Sequence, residues 1–176
     1  VGAAMMAQAV GPPPDPSVRL SATALVMSGT GNSLSHPENT TEFISSAIAY
    51  TGRVFIGPSG LCAGGDPGCI PVAVYTPEQL RFFTGWNDMT LDESVAVGQA
   101  NLDNCIRDVA CTVTMPPYTV TGSQQLTDTS DVVFGLSQSA IIASFEKADL
   151  IAHPPGKDVS FILVANPSRP NGGVFE

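Results

Sequence analysis

The chain has 176 residues, 43% of them hydrophobic and only 13% charged, enough apolar material for one domain with a sizeable core and too much for a disordered chain. Sixteen acidic against seven basic residues give a formal charge of -9, and the two lysines and five arginines are scattered, which argues against nucleic acid and anionic lipid surfaces as electrostatic partners. No run approaches the roughly 20 apolar residues of a membrane-spanning helix, so no transmembrane segment is predicted.

Val1 to Ala9 reads like the end of an apolar signal region with an Ala-x-Ala cleavage site, and Pro12, Pro13, Pro14 and Pro16 cannot continue a helix. Residues 1–20 are therefore expected to be a signal-peptide remnant and proline-rich linker, and residues 21–176 one α/β domain of a secreted or cell-envelope protein. The first predicted strand is Ala22 to Met27, ended by Ser28-Gly29-Thr30-Gly31-Asn32, and a helix is predicted over Thr41 to Tyr50. Cys62 and Cys69 then flank a loop rich in glycine, proline and aspartate, while Cys105 and Cys111 flank the end of a later helix. Four cysteines allow three pairings, of which the local ones, Cys62–Cys69 and Cys105–Cys111, each close a short loop and suit an exported protein. No Cys-x-x-Cys pair occurs and neither histidine adjoins a cysteine, so no metal site is predicted.

A second strand, Ile70 to Tyr75, precedes Thr76-Pro77-Glu78, where Thr76 suits a helix cap and Pro77 a first helical turn. Phe82, Phe83 and Trp86 read as core residues or as the lining of an acyl groove. The longest helix is predicted from Leu91 to Arg107, with Val95, Val97, Ala100, Leu102 and Ile106 forming its apolar stripe. A third strand from Val132 to Gly135, a helix from Gln138 to Ala148 and a fourth strand from Val159 to Ala165 complete the alternation. This order predicts a mostly parallel sheet with helices on both faces. Right-handed crossovers place the loops at residues 28–36, 135–139 and after 165 on one edge of the sheet. With the second strand on the far side of the first, a ligand crevice is expected between the first and third.

The strand before and the helix after give weight to Gly135-Leu136-Ser137-Gln138-Ser139, which joins them as a nucleophile elbow does. Ser139 stands where the usual motif has glycine. Taken alone, the pentapeptide reads equally as a serine-rich helix N-terminus.

Several segments together resemble the PE-PPE domain hydrolases of mycobacteria, serine α/β hydrolases related to cutinases. They are Leu25 to Gly31, Thr76 to Leu80 with Phe83-Thr84-Gly85, Leu91 to Gly98, Val133 to Ala140, and Asn166 to Gly173, and the likeness extends from about Leu20 to the last residue. The family accepts serine at the last elbow position. The resemblance implies a cutinase-like α/β-hydrolase fold, an acyl-enzyme on Ser137, and an oxyanion hole from the N–H of Gln138 and of Thr30, the latter helped by its hydroxyl. Gly29 and Gly135 would be the supporting turns. A lipid or fatty-acyl ester of the cell envelope is the implied substrate, hydrolysed by an esterase or lipase or passed on by an acyltransferase; no cofactor is implied.

The triad is incomplete in this reading, because the family's acid and histidine come from later loops and Asn171 to Glu176 resembles mid-domain sequence. His153, beyond the helix that follows Ser137, reads as a surface residue, and His36 as a residue at the substrate entrance. Asp131, Asp149 and Asp158 are given no triad role. The rival reading is a non-catalytic lipid-binding or envelope-interaction domain that keeps the fold and lacks the base.

Overall fold

A computed structural model describes residues 22–35, 37–54, 60–62 and 68–174. The segment 1–20 and His36 lie outside the described residues, and so do the expectations attached to them. The elements are β1 (Ala22–Met27), α1 (Pro37–Val54), β2 (Cys69–Val74), α2 (Leu91–Ile106), β3 (Cys111–Thr114), β4 (Thr121–Gln124), β5 (Ser130–Leu136), α3 (Gln138–Ala152) and β6 (Asp158–Val164).

One six-stranded sheet runs in the order β4-β3-β2-β1-β5-β6. β2, β1, β5 and β6 are parallel to their neighbours, while β3 pairs antiparallel with β2 and β4 antiparallel with β3. The alternation of strand side chains divides the interior into two cores. Leu25, Met27, Val72, Val74 and Val133 face one side with Leu102 and Ile106 of α2 and Ile142 of α3. Ala24, Val26, Ala73, Phe134 and Ile162 face the other with Ile44 and Ala47 of α1. Helices thus cover both faces, as the alternating order predicts. Each fully buried aliphatic side chain in these cores contributes about 1.5–3 kcal/mol.

α2 and α3 lie close because Gly98 leaves room: a Cβ there would sit 2.5 Å from Ile142 Cδ1. Thr90 and Glu93 close a capping box at the start of α2, satisfying backbone donors that the first helical turn leaves unpaired. Asn101 then stitches α2 to the sheet: its amide nitrogen donates to Tyr75 O (2.9 Å) and Thr112 O (2.8 Å), and its oxygen accepts from Thr112 N (2.8 Å). Two disulfides, Cys62–Cys69 and Cys105–Cys111, tie short loops to β2 and join α2 to β3.

The structure corrects the sequence reading at three places. β3 and β4 extend the sheet beyond the predicted strands, making it mixed at one edge. No helix follows Thr76: Glu78 is left-handed (φ 53°), and the backbone of Glu78 and Gln79 is engaged by distant partners instead of by a helix. Phe82, Phe83 and Trp86 are not core residues, being 68%, 84% and 80% exposed. No described helix is long and apolar enough to cross a membrane.

Candidate active site

Parallel pairing brings the carboxyl ends of β1, β2, β5 and β6 to one edge, with Met27 opposite Gly135. Each of these strands is followed within four residues by a left-handed one: Gly31 (φ 82°), Glu78 (φ 53°), Ser137 (φ 56°) and Ala165 (φ 49°). Three of the four carry a side chain, and a non-glycine residue in this region carries strain that a site must hold in place.

Ser137 sits between β5 and α3 at φ 56°, ψ -113°, as the N-cap of α3 without a side-chain capping bond. Its N–H donates to Val164 O of β6 (2.9 Å), so its backbone is fixed while its hydroxyl is free of the capping task. Gly135 is required here, because a Cβ would lie 2.7 Å from Ser139 O and 3.0 Å from Ala140 Cα. Ser139 closes the turn: its Oγ accepts from Leu136 N (2.8 Å) and donates to Leu136 O (3.1 Å). That role needs a hydroxyl and accounts for serine at the fifth position.

The turn after β1 lies directly against this serine. A Cβ on Gly29 would sit 3.1 Å from Ser137 Cβ and 3.2 Å from Leu136 O. Thr30 Oγ1 donates to Gln138 Oε1 (2.9 Å), which commits that hydroxyl proton and leaves the backbone N–H of Thr30 as its remaining donor. The buried Gln138 amide in turn donates to Ser94 Oγ (2.7 Å) and Gln79 O (3.1 Å), and Ser94 Oγ accepts from Gln79 N (3.1 Å). The first N–H groups of a helix have no partner within it, and Gln138 is the first residue of α3. A serine hydroxyl beside a helix N-terminus and a glycine turn is an arrangement able to hold negative charge that develops on a bound carbonyl oxygen.

Glu78 lies beneath the same turn, only 1% exposed. Burial pushes its carboxyl up to about 8, against the lowering effect of a bond from Thr76 Oγ1 (2.6 Å). Its carbonyl accepts from Gly31 N (2.7 Å). Ser94, Gln79, Glu78 and the side chain of Gln138 are the site residues that sequence reasoning missed. Thr76-Pro77-Glu78 did stand out as a helix start, and Thr76 to Leu80 and Leu91 to Gly98 as segments of the family resemblance, but with no site role.

A cavity of about 870 Å³ opens beside Ser137, lined among others by Ser144, Lys147, Leu163, Asn166 and Arg169. Asn166 shapes its wall by donating to Ser144 Oγ (2.9 Å) and accepting from Ser168 N (3.0 Å). The volume lies in the range of small-molecule sites.

Other acidic and basic candidates lie elsewhere. His153 caps the far end of α3, about 24 Å from Ser137 by the helical rise, and its Nδ1 lies 3.0 Å from Asp149 Oδ1. Asp131 sits at the opposite end of β5, where Lys157 approaches Asp108 (2.8 Å), Asp128 (2.6 Å) and Asp131 (2.9 Å). Burial works against the Lys157 charge, but the bonds to these three aspartates outweigh it and hold the ammonium above its ordinary pKa. Asp158 begins β6 on that same edge. Asp103, Glu146 and Asp149 bring carboxylate oxygens within 4.8 Å of one another between α2 and α3. There Arg107 bonds to both Asp103 and Asp149 and supplies the positive charge. Burial, then the Asp103 charge, raises Glu146 to about 7. Among the described residues no histidine or carboxylate is hydrogen-bonded to Ser137.

A family model of the PE-PPE domain matches residues 67–176. Curated relatives from Mycobacterium tuberculosis include the uncharacterized PPE family protein PPE42, 37% identical over 87% of this chain and 22% of its own length. The PE family protein PE3 is 36% identical over 88% of this chain and 27% of its own. Esterase PE16 is 34% identical over 58% of this chain and 17% of its own length. The chain therefore spans about a quarter of the length of the first two. No solved structure matches.

Proposed function

Because the chain belongs to the PE-PPE domain family, we propose that it is a serine esterase or acyltransferase on a cutinase-like α/β-hydrolase fold, with Ser137 as nucleophile. The observation that carries this reading is the placement of Ser137, left-handed between β5 and α3, with the Gly29 turn in contact with its Cβ. The esterase name of one relative, PE16, points the same way. Ser137 Oγ attacks the carbonyl carbon of an ester while its proton passes to a base, giving a tetrahedral intermediate whose oxyanion faces the N–H groups of Gln138 and Thr30. Such a preorganised donor contributes about 3 kcal/mol. Collapse expels the alcohol, which takes up the proton, and leaves the acyl group on Ser137. Water then releases the acid, or a second hydroxyl takes the acyl group as a new ester.

The substrate class proposed is a lipid or fatty-acyl ester of the cell envelope, and the cavity beside Ser137 is the proposed acyl site. Two disulfides among the described residues support an exported protein. The base and the acid that orients it are assigned to residues outside those described. The reaction requires no cofactor.

A second reading, a non-catalytic lipid-binding domain, is favoured by the lack of a base bonded to Ser137 among the described residues. Fluorophosphonate labelling followed by intact mass decides between them. A single adduct that vanishes in Ser137→Ala supports the hydrolase, and a folded protein that forms no adduct supports the binding domain. For transfer against hydrolysis, a new ester formed with an added hydroxyl acceptor identifies the acyltransferase.

A further inference from the structure

Three buried acids stand out in the described residues, and two have cationic company. Asp131 has Lys157, and Glu146 lies in the cluster that Arg107 bridges. Glu78 has no ion-pair partner among the described residues, and its Oε2 is buried without a hydrogen bond. An apolar residue would fill that space without the desolvation penalty of an acid, and glycine would take its left-handed backbone without strain. Two unfavourable choices at one position, both at the edge that carries Ser137, mark a residue kept for what it holds.

What it holds can be followed bond by bond. Thr76 Oγ1 donates to the Glu78 carboxyl, which anchors the side chain and with it the left-handed backbone. That conformation presents the Glu78 carbonyl to Gly31 N–H at 2.7 Å. Two residues before Glu78, Thr76 O accepts from Ser33 Oγ at 2.8 Å, a second attachment to the same segment. Gly31 follows Thr30, whose hydroxyl reaches Gln138, and Gly29 lies against Ser137. The turn after β1 is thus suspended between Ser137 on one side and the Thr76–Glu78 pair on the other.

The geometry points to Glu78 as a positioning residue: its buried side chain, held by Thr76, fixes the carbonyl that sets the Gly29-Thr30-Gly31 turn over Ser137. The catalytic consequence rests on the esterase reading above; the structural one does not. With burial pushing its carboxyl up to about 8, the side chain is a neutral acid at pH 7, and glutamine reproduces both its shape and its charge.

The test compares Glu78→Gln, Glu78→Ala and Thr76→Val with the wild type in the full chain. Hydrogen exchange at the Gly31 amide reads the turn, and the rate of fluorophosphonate labelling reads the site. Glu78→Ala is expected to speed exchange at Gly31 while amides of β1 stay protected, and to slow labelling about 10- to 100-fold, the loss a misplaced site produces. Glu78→Gln is expected to restore both to within about threefold. With an ester substrate, and with kcat taken per folded molecule, the Glu78→Ala loss should fall on kcat with KM little changed, as for an interaction made only in the transition state. A folded Glu78→Ala protein with wild-type exchange at Gly31 overturns the proposal. So does one with loosened exchange and wild-type labelling. If Glu78→Ala fails to fold, Thr76→Val decides by the same two readings. If the wild type itself takes no label while Gly31 exchange rises in Glu78→Ala, the turn assignment stands and the esterase reading falls.

Discussion

The two ends of β5 are held by opposite kinds of chemistry. At the Ser130 end, Asp131 is buried beside Lys157, which also reaches Asp108 and Asp128. At the Leu136 end, the turn bearing Ser137 is held by hydroxyls, amides and backbone groups of Thr30, Gln79, Ser94, Gln138 and Ser139. Glu78, which adjoins that network at Gln79, is driven towards its neutral form by burial. In a chain of formal charge -9, this distribution matters: a fixed carboxylate near Ser137 would oppose the negative charge of a tetrahedral intermediate, whereas neutral donors would not. One end of β5 is fastened by charged side chains, whereas the turn bearing Ser137 is held at the other without one.

Removing the cation from the charged end should have the largest effect on stability. Lys157→Met leaves Asp128 and Asp131 buried without their counterion, and breaking such a cluster costs about 3–5 kcal/mol, to be read from denaturant midpoints at pH 7. Because burial raises Asp131 to about 7 even with Lys157 present, its loss should push that carboxyl higher. A folded pKa above the unfolded value means stability retained at low pH and lost as pH rises, so the variant should recover towards pH 5.

The Leu136 end should show a pH dependence of the same sign. Glu78 is raised from 4.5 to about 8. Its contribution is therefore fully present below about 4.5 and lost as pH climbs through 8, with a slope of up to roughly 1.4 kcal/mol per pH unit between those values. Denaturation curves of Glu78→Gln across this range should be flatter than those of the wild type by that slope. Equal slopes in the two proteins would mean that Glu78 is ionised throughout, and would remove the contrast between the two ends. The smallest effect is expected from Ser139→Ala, which frees one backbone donor at Leu136 and costs about 1 kcal/mol by denaturation.

Much of this contrast lies at different depths of legibility in the sequence. β1, β5 and β6 are readable because they are short apolar runs bounded by turn residues, and α2 because its apolar positions recur at helical spacing. β4 is Thr121-Gly122-Ser123-Gln124, without a single large apolar side chain; only its pairing with β3 makes it a strand, and no local pattern announces that. The Thr76-Pro77-Glu78 signal is correct local chemistry for a helix start, yet bonds from Gly31 and Gln138 and one to Ser94 give the backbone of Glu78 and Gln79 better partners. Ser137 is visible because its glycine and serine neighbours are adjacent in the chain. The groups that tie its turn together are not, since Gln138 meets Ser94 across 44 residues and Gln79 across 59.

The exposed aromatic loop has a consequence for anyone who watches this protein with light. Trp86 is the chain's one tryptophan; its ring meets Phe82 edge-on at 5.1 Å, while neighbouring Thr84 stands 3.8 Å from where a Cβ on Gly31 would be. Its indole already faces solvent in the native state, so its emission changes little when the core melts. The same fluorescence would report whatever settles on this loop beside the Gly31 turn, with no dye and no substitution needed.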